Sequence, residues 1–99
     1  MTDFAEFRAS LTGPEAPAGL SVALQALWHQ GKGDWDKAHD TLQADETGRD
    51  SAWVHAHLHR VEGDLGNAGY WYRLANKPVA SGALDTEWEA IARALLGAG

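Results

Sequence analysis

Apolar residues recur at intervals of three and four along most of this chain, and nowhere do they alternate with polar ones over the length of a strand. The pattern predicts an all-α fold. Phe4, Phe7 and Leu11 form a stripe behind Asp3, whose carboxylate suits the free amides of a first turn, so a helix is expected within residues 2–12. Gly13, Pro14, Pro17 and Gly19 stop it, because proline fixes φ and withholds an amide donor. The run LSVALQALWHQ that follows from Leu20 is apolar around most of its circumference, with Ser21, Gln25 and His29 as a narrow polar strip. Such a helix packs on two sides.

Gly33-Asp34 reads as a helix stop joined to the N-cap of the next helix, which Trp35, Ala38 and Leu42 line. The polar stretch ETGRDS ends that pair, and Ser51 to Glu62 form another helix. Gly63-Asp64 repeats the stop and cap, and Leu65, Ala68, Tyr72 and Ala75 carry the next stripe as far as Asn76, Lys77 and Pro78. Leu84, Trp88, Ile91 and Leu95 mark a final helix over residues 85–96, capped by Asp85 and fraying into Gly97-Ala98-Gly99. The expected organisation is a single domain, 1–99, with a capping helix at 2–12, hairpins at 20–47 and 51–76, and a C-terminal helix.

The two hairpins align with each other. ALWHQGKGDWDKAHDTL, starting at Ala26, laid over AHLHRVEGDLGNAGYWY, starting at Ala56, pairs Ala26 with Ala56, His29 with His59, Gly33-Asp34 with Gly63-Asp64, Ala38 with Ala68, and Leu42 with Tyr72. Small residues in mid-helix let neighbouring backbones approach closely. On these residues, with Ala75 and Pro78 behind the second unit, the stretch 20–80 resembles the tetratricopeptide repeat family. It departs from that pattern in its shorter period and in His29 and His59, which stand where the family places a first-helix aromatic. The resemblance implies stacked helical hairpins in a short solenoid, with the first helix of each unit lining a concave surface that holds another polypeptide.

Composition narrows the partners. Fourteen acids against eight bases give a formal charge of -6, which repels nucleic acid and anionic lipid. The absence of cysteine removes disulfides, thiolate metal sites and cysteine nucleophiles. With neither a basic start and apolar run of signal-peptide length nor a stretch near ~20 apolar residues, the chain reads as a cytoplasmic protein outside the membrane.

Chemistry-bearing residues concentrate in AWVHAHLHRVEGD, which starts at Ala52. His55, His59 and Glu62 share one helix face, and an H-x-x-x-H pair can place two imidazoles on one ion. With His29 one unit earlier, these residues form a candidate metal or small hydrolytic site, although the glutamate of H-E-x-x-H is missing. As a simple amphipathic helix, the segment turns Val54, Leu58 and Val61 inward and leaves His55, His59 and Glu62 in solvent. Under the tetratricopeptide resemblance, His55 and His59 instead face a partner helix, and Trp53, His57 and Arg60 turn to the concave surface.

Tyr70, Trp71 and Tyr72 cannot all point inward from one helix, so Tyr70 or Trp71 supplies a second aromatic patch. No glycine-rich phosphate loop or serine elbow is present, and the paired acids Asp34/Asp36 and Asp85/Glu87 suit first helical turns. The sequence thus reads as a non-catalytic interaction module without a cofactor. Trp53, His57, Arg60, Tyr70 and Trp71 are its expected contacts to a peptide, a partner's helix or a second copy. The histidine site is the alternative.

Overall fold

The computed structural model describes residues 2–97, and within them the chain forms six α-helices and no strand. These are α1 (Phe4–Ala9), α2 (Val22–Gly31), α3 (Trp35–Thr41), α4 (Arg49–Glu62), α5 (Leu65–Ala75) and α6 (Leu84–Leu95). Single 3-10 turns extend α1 and α3. None of the helices is long and apolar enough to cross a membrane. Of the fraying expected at the end of the chain, Ala98 and Gly99 lie outside the described residues.

Local chemistry sets most boundaries. Asp3 and Glu6 form a reciprocal capping box on α1, and Ser21 Oγ accepts from the Leu24 amide at the start of α2. At both hairpin turns a left-handed glycine ends one helix, Gly33 at φ 81° and Gly63 at φ 88°. The aspartate that follows accepts from the third amide of the next helix, Asp34 from Lys37 and Asp64 from Asn67. Two starts differ from expectation. ETGRDS does not close a helix: Asp45 accepts from the Gly48 amide and the Ser51 hydroxyl, and this turn starts α4 at Arg49, ahead of Ser51. The last helix starts at Leu84 with Ala83 in the cap position, so Asp85 sits in its first turn and does not cap it.

Several residues that the alignment of the two hairpins pairs are buried alike. Ala26 and Ala56, Ala38 and Ala68, and Leu42 and Tyr72 are all buried, and each pair of hairpin helices packs face to face. α4 is the central helix, touching α2, α3, α5 and α6. Val54 and Leu58 enter the main core with Leu24, Leu27 and Trp28, while Ala56 meets Ala68 and Tyr72 in a smaller second cluster. Each fully buried large apolar side chain contributes about 1.5–3 kcal/mol.

Because α4 is covered nearly all round, neither simple reading of its faces holds in full. Of His55, His59 and Glu62, only Glu62 is exposed; His55 is half-buried and His59 is buried.

The last helix decides the most. α6 lies across α2 and α4, on the side that the tetratricopeptide resemblance would leave open. Trp88 anchors it, donating its indole N–H to the Leu27 carbonyl at 2.8 Å and stacking on Phe7 with Phe4 at its edge. The approach requires a glycine at Gly31, where a β-carbon would stand 2.8 Å from the Trp88 ring and about 3.0 Å from Leu11.

Beside Trp88, Glu87 enters the interior and accepts from three groups: His57 Nδ1 at 2.7 Å, Arg60 Nη1 at 3.1 Å and the Tyr72 hydroxyl. The Arg60 guanidinium also donates to the Gly82 carbonyl in the loop before α6. Burial alone would raise the Glu87 carboxyl, but donation from His57, Tyr72 and Arg60 outweighs it and holds the group below the usual range. Burial, with the Glu87 carboxylate as hydrogen-bond partner, raises the Tyr72 phenol.

Candidate metal centre

Three imidazoles meet where α3 passes α4. His39 comes from α3, one turn after Trp35, and His55 and His59 come from one face of α4 at i and i+4. One nitrogen of each lies within 4.8 Å of the others. His55 Nε2 is 3.0 Å from His39 Nε2, and the rings of His55 and His59 stack at 4.9 Å. Nitrogens around a tetrahedral first-row ion are about 3.4 Å apart for metal–nitrogen bonds of about 2.1 Å. The cluster therefore needs only side-chain adjustment to close on an ion.

The surroundings favour ligation. Glu62 Oε1 is 2.5 Å from His59 Nδ1, which fixes that ring and leaves Nε2 as its free ligand atom, the arrangement by which a carboxylate orients a metal-binding histidine. Trp35 stacks on His39 at 5.0 Å, and its N–H is tied to the Leu58 carbonyl at 2.7 Å. Trp71 stacks on His55 at 3.8 Å. Two indoles thus fix two of the imidazole planes. The cluster opens onto a surface cavity of about 590 Å³, whose rim includes Glu46, Asn67, Tyr70 and Leu74.

Burial, reinforced by the neighbouring His39 and His59, lowers the His55 pKa from 6.5 to about 4. At neutral pH His55 therefore carries a lone pair and need not lose a proton to bind a metal. The same shift makes folding pH-dependent. In the unfolded chain His55 takes up a proton near pH 6.5, whereas the folded protein resists until about pH 4, so its contribution is complete above 6.5 and is lost as the pH falls through 4. The melting temperature should fall across that window, and His55→Leu should flatten part of the fall. An unchanged profile in the variant counts against the assignment.

Of the expected ligands, His55, His59 and Glu62 are in or beside the cluster, and His29 is not. His29 packs edge-on against Trp28 near the end of α2, where burial, then Lys37, lowers its pKa against an opposing pull from Asp34. His39 takes its place. The internal alignment hides this residue, because His39 falls opposite Gly69, which has no side chain to repeat. The available signal is the adjacency of α3 and α4 in a chain of hairpins.

The expected contact residues divide differently. His57 is 1% exposed, so it and Arg60, bound as they are to Glu87, do not line an open surface; α6 covers that side. Trp53 is half-buried, with the Lys77 ammonium over its ring at 4.3 Å. Trp71 turns toward the histidines, while Tyr70 stays 49% exposed beside Leu74. No protein-family model, curated protein or solved structure matches the chain.

Proposed function

We propose that this protein binds a divalent transition-metal ion through His39, His55 and His59. The observation that carries the reading is the convergence of three imidazole nitrogens within 4.8 Å, one of them already oriented by Glu62. Imidazole ligands suit zinc, copper and nickel and disfavour the harder magnesium and calcium. Three protein ligands leave a further position for water or an exogenous donor, on the side of the 590 Å³ cavity. The scaffold is tetratricopeptide-like, a reading supported by the matched buried alanines and glycine-aspartate turns of the two hairpins. Its use as a peptide groove is not retained, since α6 lies on the face that would have to be open.

Calorimetric titration with zinc, copper(II) and nickel at pH 7 tests the proposal. One ion should bind per chain, and at a hundredfold excess over Kd it should add about 2.7 kcal/mol to stability. His39→Ala, His55→Ala and His59→Ala should each weaken binding at least tenfold, Glu62→Gln should weaken it about 10–100-fold, and His29→Ala should change nothing. If none of the three ions binds, or if His29→Ala matters as much as His39→Ala, the proposal fails.

A further inference from the structure

A metal held only for structure takes all its ligands from the protein, whereas a catalytic ion keeps one position free for water and substrate. The histidine cluster is of the second kind in two respects. It offers three imidazoles and no fourth group, and all three line the same open cavity of about 590 Å³, with His39 and His55 only half-buried. Imidazole also binds as an uncharged ligand. An ion among three of them keeps its full charge, which is what makes water beside it a nucleophile at neutral pH.

The rest of the lining says what such water could attack. Ala52, Trp71 and the half-exposed Tyr70 and Leu74 form an apolar wall for the body of a substrate. Asp45 and Glu46 are the acids on the lining, and no lysine or arginine accompanies them. Asp45 accepts from the Gly48 amide and the Ser51 hydroxyl, both uncharged, and Glu46 is exposed and in no ion pair among the described residues. A substrate bearing a carboxylate or phosphate would meet like charge at this rim and no cation to offset it. Phosphate esters are thereby disfavoured, and among uncharged carbonyl compounds an ester parts with its alcohol more readily than an amide with its amine.

We infer that the histidine site hydrolyses uncharged or cationic carboxylic esters with an apolar acyl group, an inference that rests on the metal reading above. Water at the free position gives up a proton, its oxygen bonds to the ester carbonyl carbon, the bond from that carbon to the alcohol oxygen breaks, and the departing alkoxide takes up a proton. One water is consumed per ester, and nothing is oxidised or reduced. Tyr70, Trp71 and Leu74 hold the acyl chain, and Glu46 turns anions away.

Kinetics of the zinc-loaded intact protein at pH 7, with zinc uptake measured calorimetrically on the same sample, test the inference. The probes are 4-nitrophenyl butanoate and mono-4-nitrophenyl succinate, of similar length, the second ending in a carboxylate. The loaded protein should hydrolyse the butanoate at least tenfold faster than metal-free protein or an equal concentration of free zinc, and should favour it over the succinate at least fivefold in kcat/KM. Glu46→Lys should keep zinc uptake and move that ratio at least threefold toward the succinate. Replacing Tyr70 and Leu74 together by alanine should raise KM for the butanoate with zinc uptake unchanged, and His55→Ala should weaken both uptake and hydrolysis. One zinc per chain without acceleration beyond free zinc overturns the inference and leaves the metal reading standing, whereas no uptake overturns both. A preference that Glu46→Lys leaves unmoved, or equal use of the two esters, overturns the substrate assignment.

Discussion

Replacing Glu87 by alanine is expected to lower the unfolding free energy by about 3–5 kcal/mol, the cost of removing one partner from a buried ion pair. The carboxylate accepts from His57, Arg60 and Tyr72, so its loss removes the acceptor of three donors and the counter-charge of a guanidinium on a side chain only 12% exposed, which keeps its bond to the Gly82 carbonyl. Typical domains have about 5–15 kcal/mol in total. Glu87→Gln keeps the volume and one acceptor oxygen and should cost less, while failing to balance Arg60. Glu89→Ala, on the exposed side of the same helix, loses only the surface pairs with Arg8 and Arg93 and should change stability by no more than about 1 kcal/mol. Urea melts followed by tryptophan fluorescence at pH 7 separate the three variants. Because the folded Glu87 carboxyl is held below its ordinary range, the deficit of Glu87→Ala should be full above that range and shrink as the pH falls through the lowered folded value. Equal melts for Glu87→Ala and Glu89→Ala refute the network's role.

Trp88→Ala should cost a similar amount, about 3–5 kcal/mol for a buried aromatic reduced to a methyl. The indole fills the space between α1, α2 and α6, stacks 5.6 Å from Phe7, and donates to the Leu27 carbonyl near the middle of α2. Phe7 on α1 and Leu27 on α2 belong to the same buried cluster and border the void that alanine would leave. Trp88→Phe retains the stacking and loses the hydrogen bond and part of the volume, so it should recover roughly half the loss. Calorimetric unfolding of the two variants gives the comparison; if alanine is tolerated at less than 1 kcal/mol, α6 is not anchored as described.

The helices were legible because their ends are written in local chemistry. A glycine that accepts a left-handed φ, followed by an aspartate that caps, ends and starts helices at Gly33-Asp34 and Gly63-Asp64 without help from distant residues. α4 starts ahead of its expected place because the two bonds of Asp45 run forward to Gly48 and Ser51, and a polar run that starts a helix resembles one that ends it.

What the faces of α4 touch was not legible. The bond from His57 to Glu87 joins residues 30 apart, and no spacing rule within one helix announces it. His29 recurs between the hairpins as His59, whereas His39 has only Gly69 opposite it. Repetition reports what the scaffold shares, whereas a site can be built from residues that break it.

The anchoring of α6 also bears on how the chain folds. In an array where each unit touches only its neighbours, order can spread from either end, one unit at a time. Here Trp88 meets the Leu27 carbonyl across 61 residues of chain, and it also meets Phe7 on the first helix. Closing a loop of that length costs roughly 3–4 kcal/mol of chain entropy, which must be spent before the contact returns anything. The hairpins, closed by turns of a few residues, carry no such toll, and so the nonlocal clasp sets the pace. Once made, it ties the first and last helices to α2 through a single side chain.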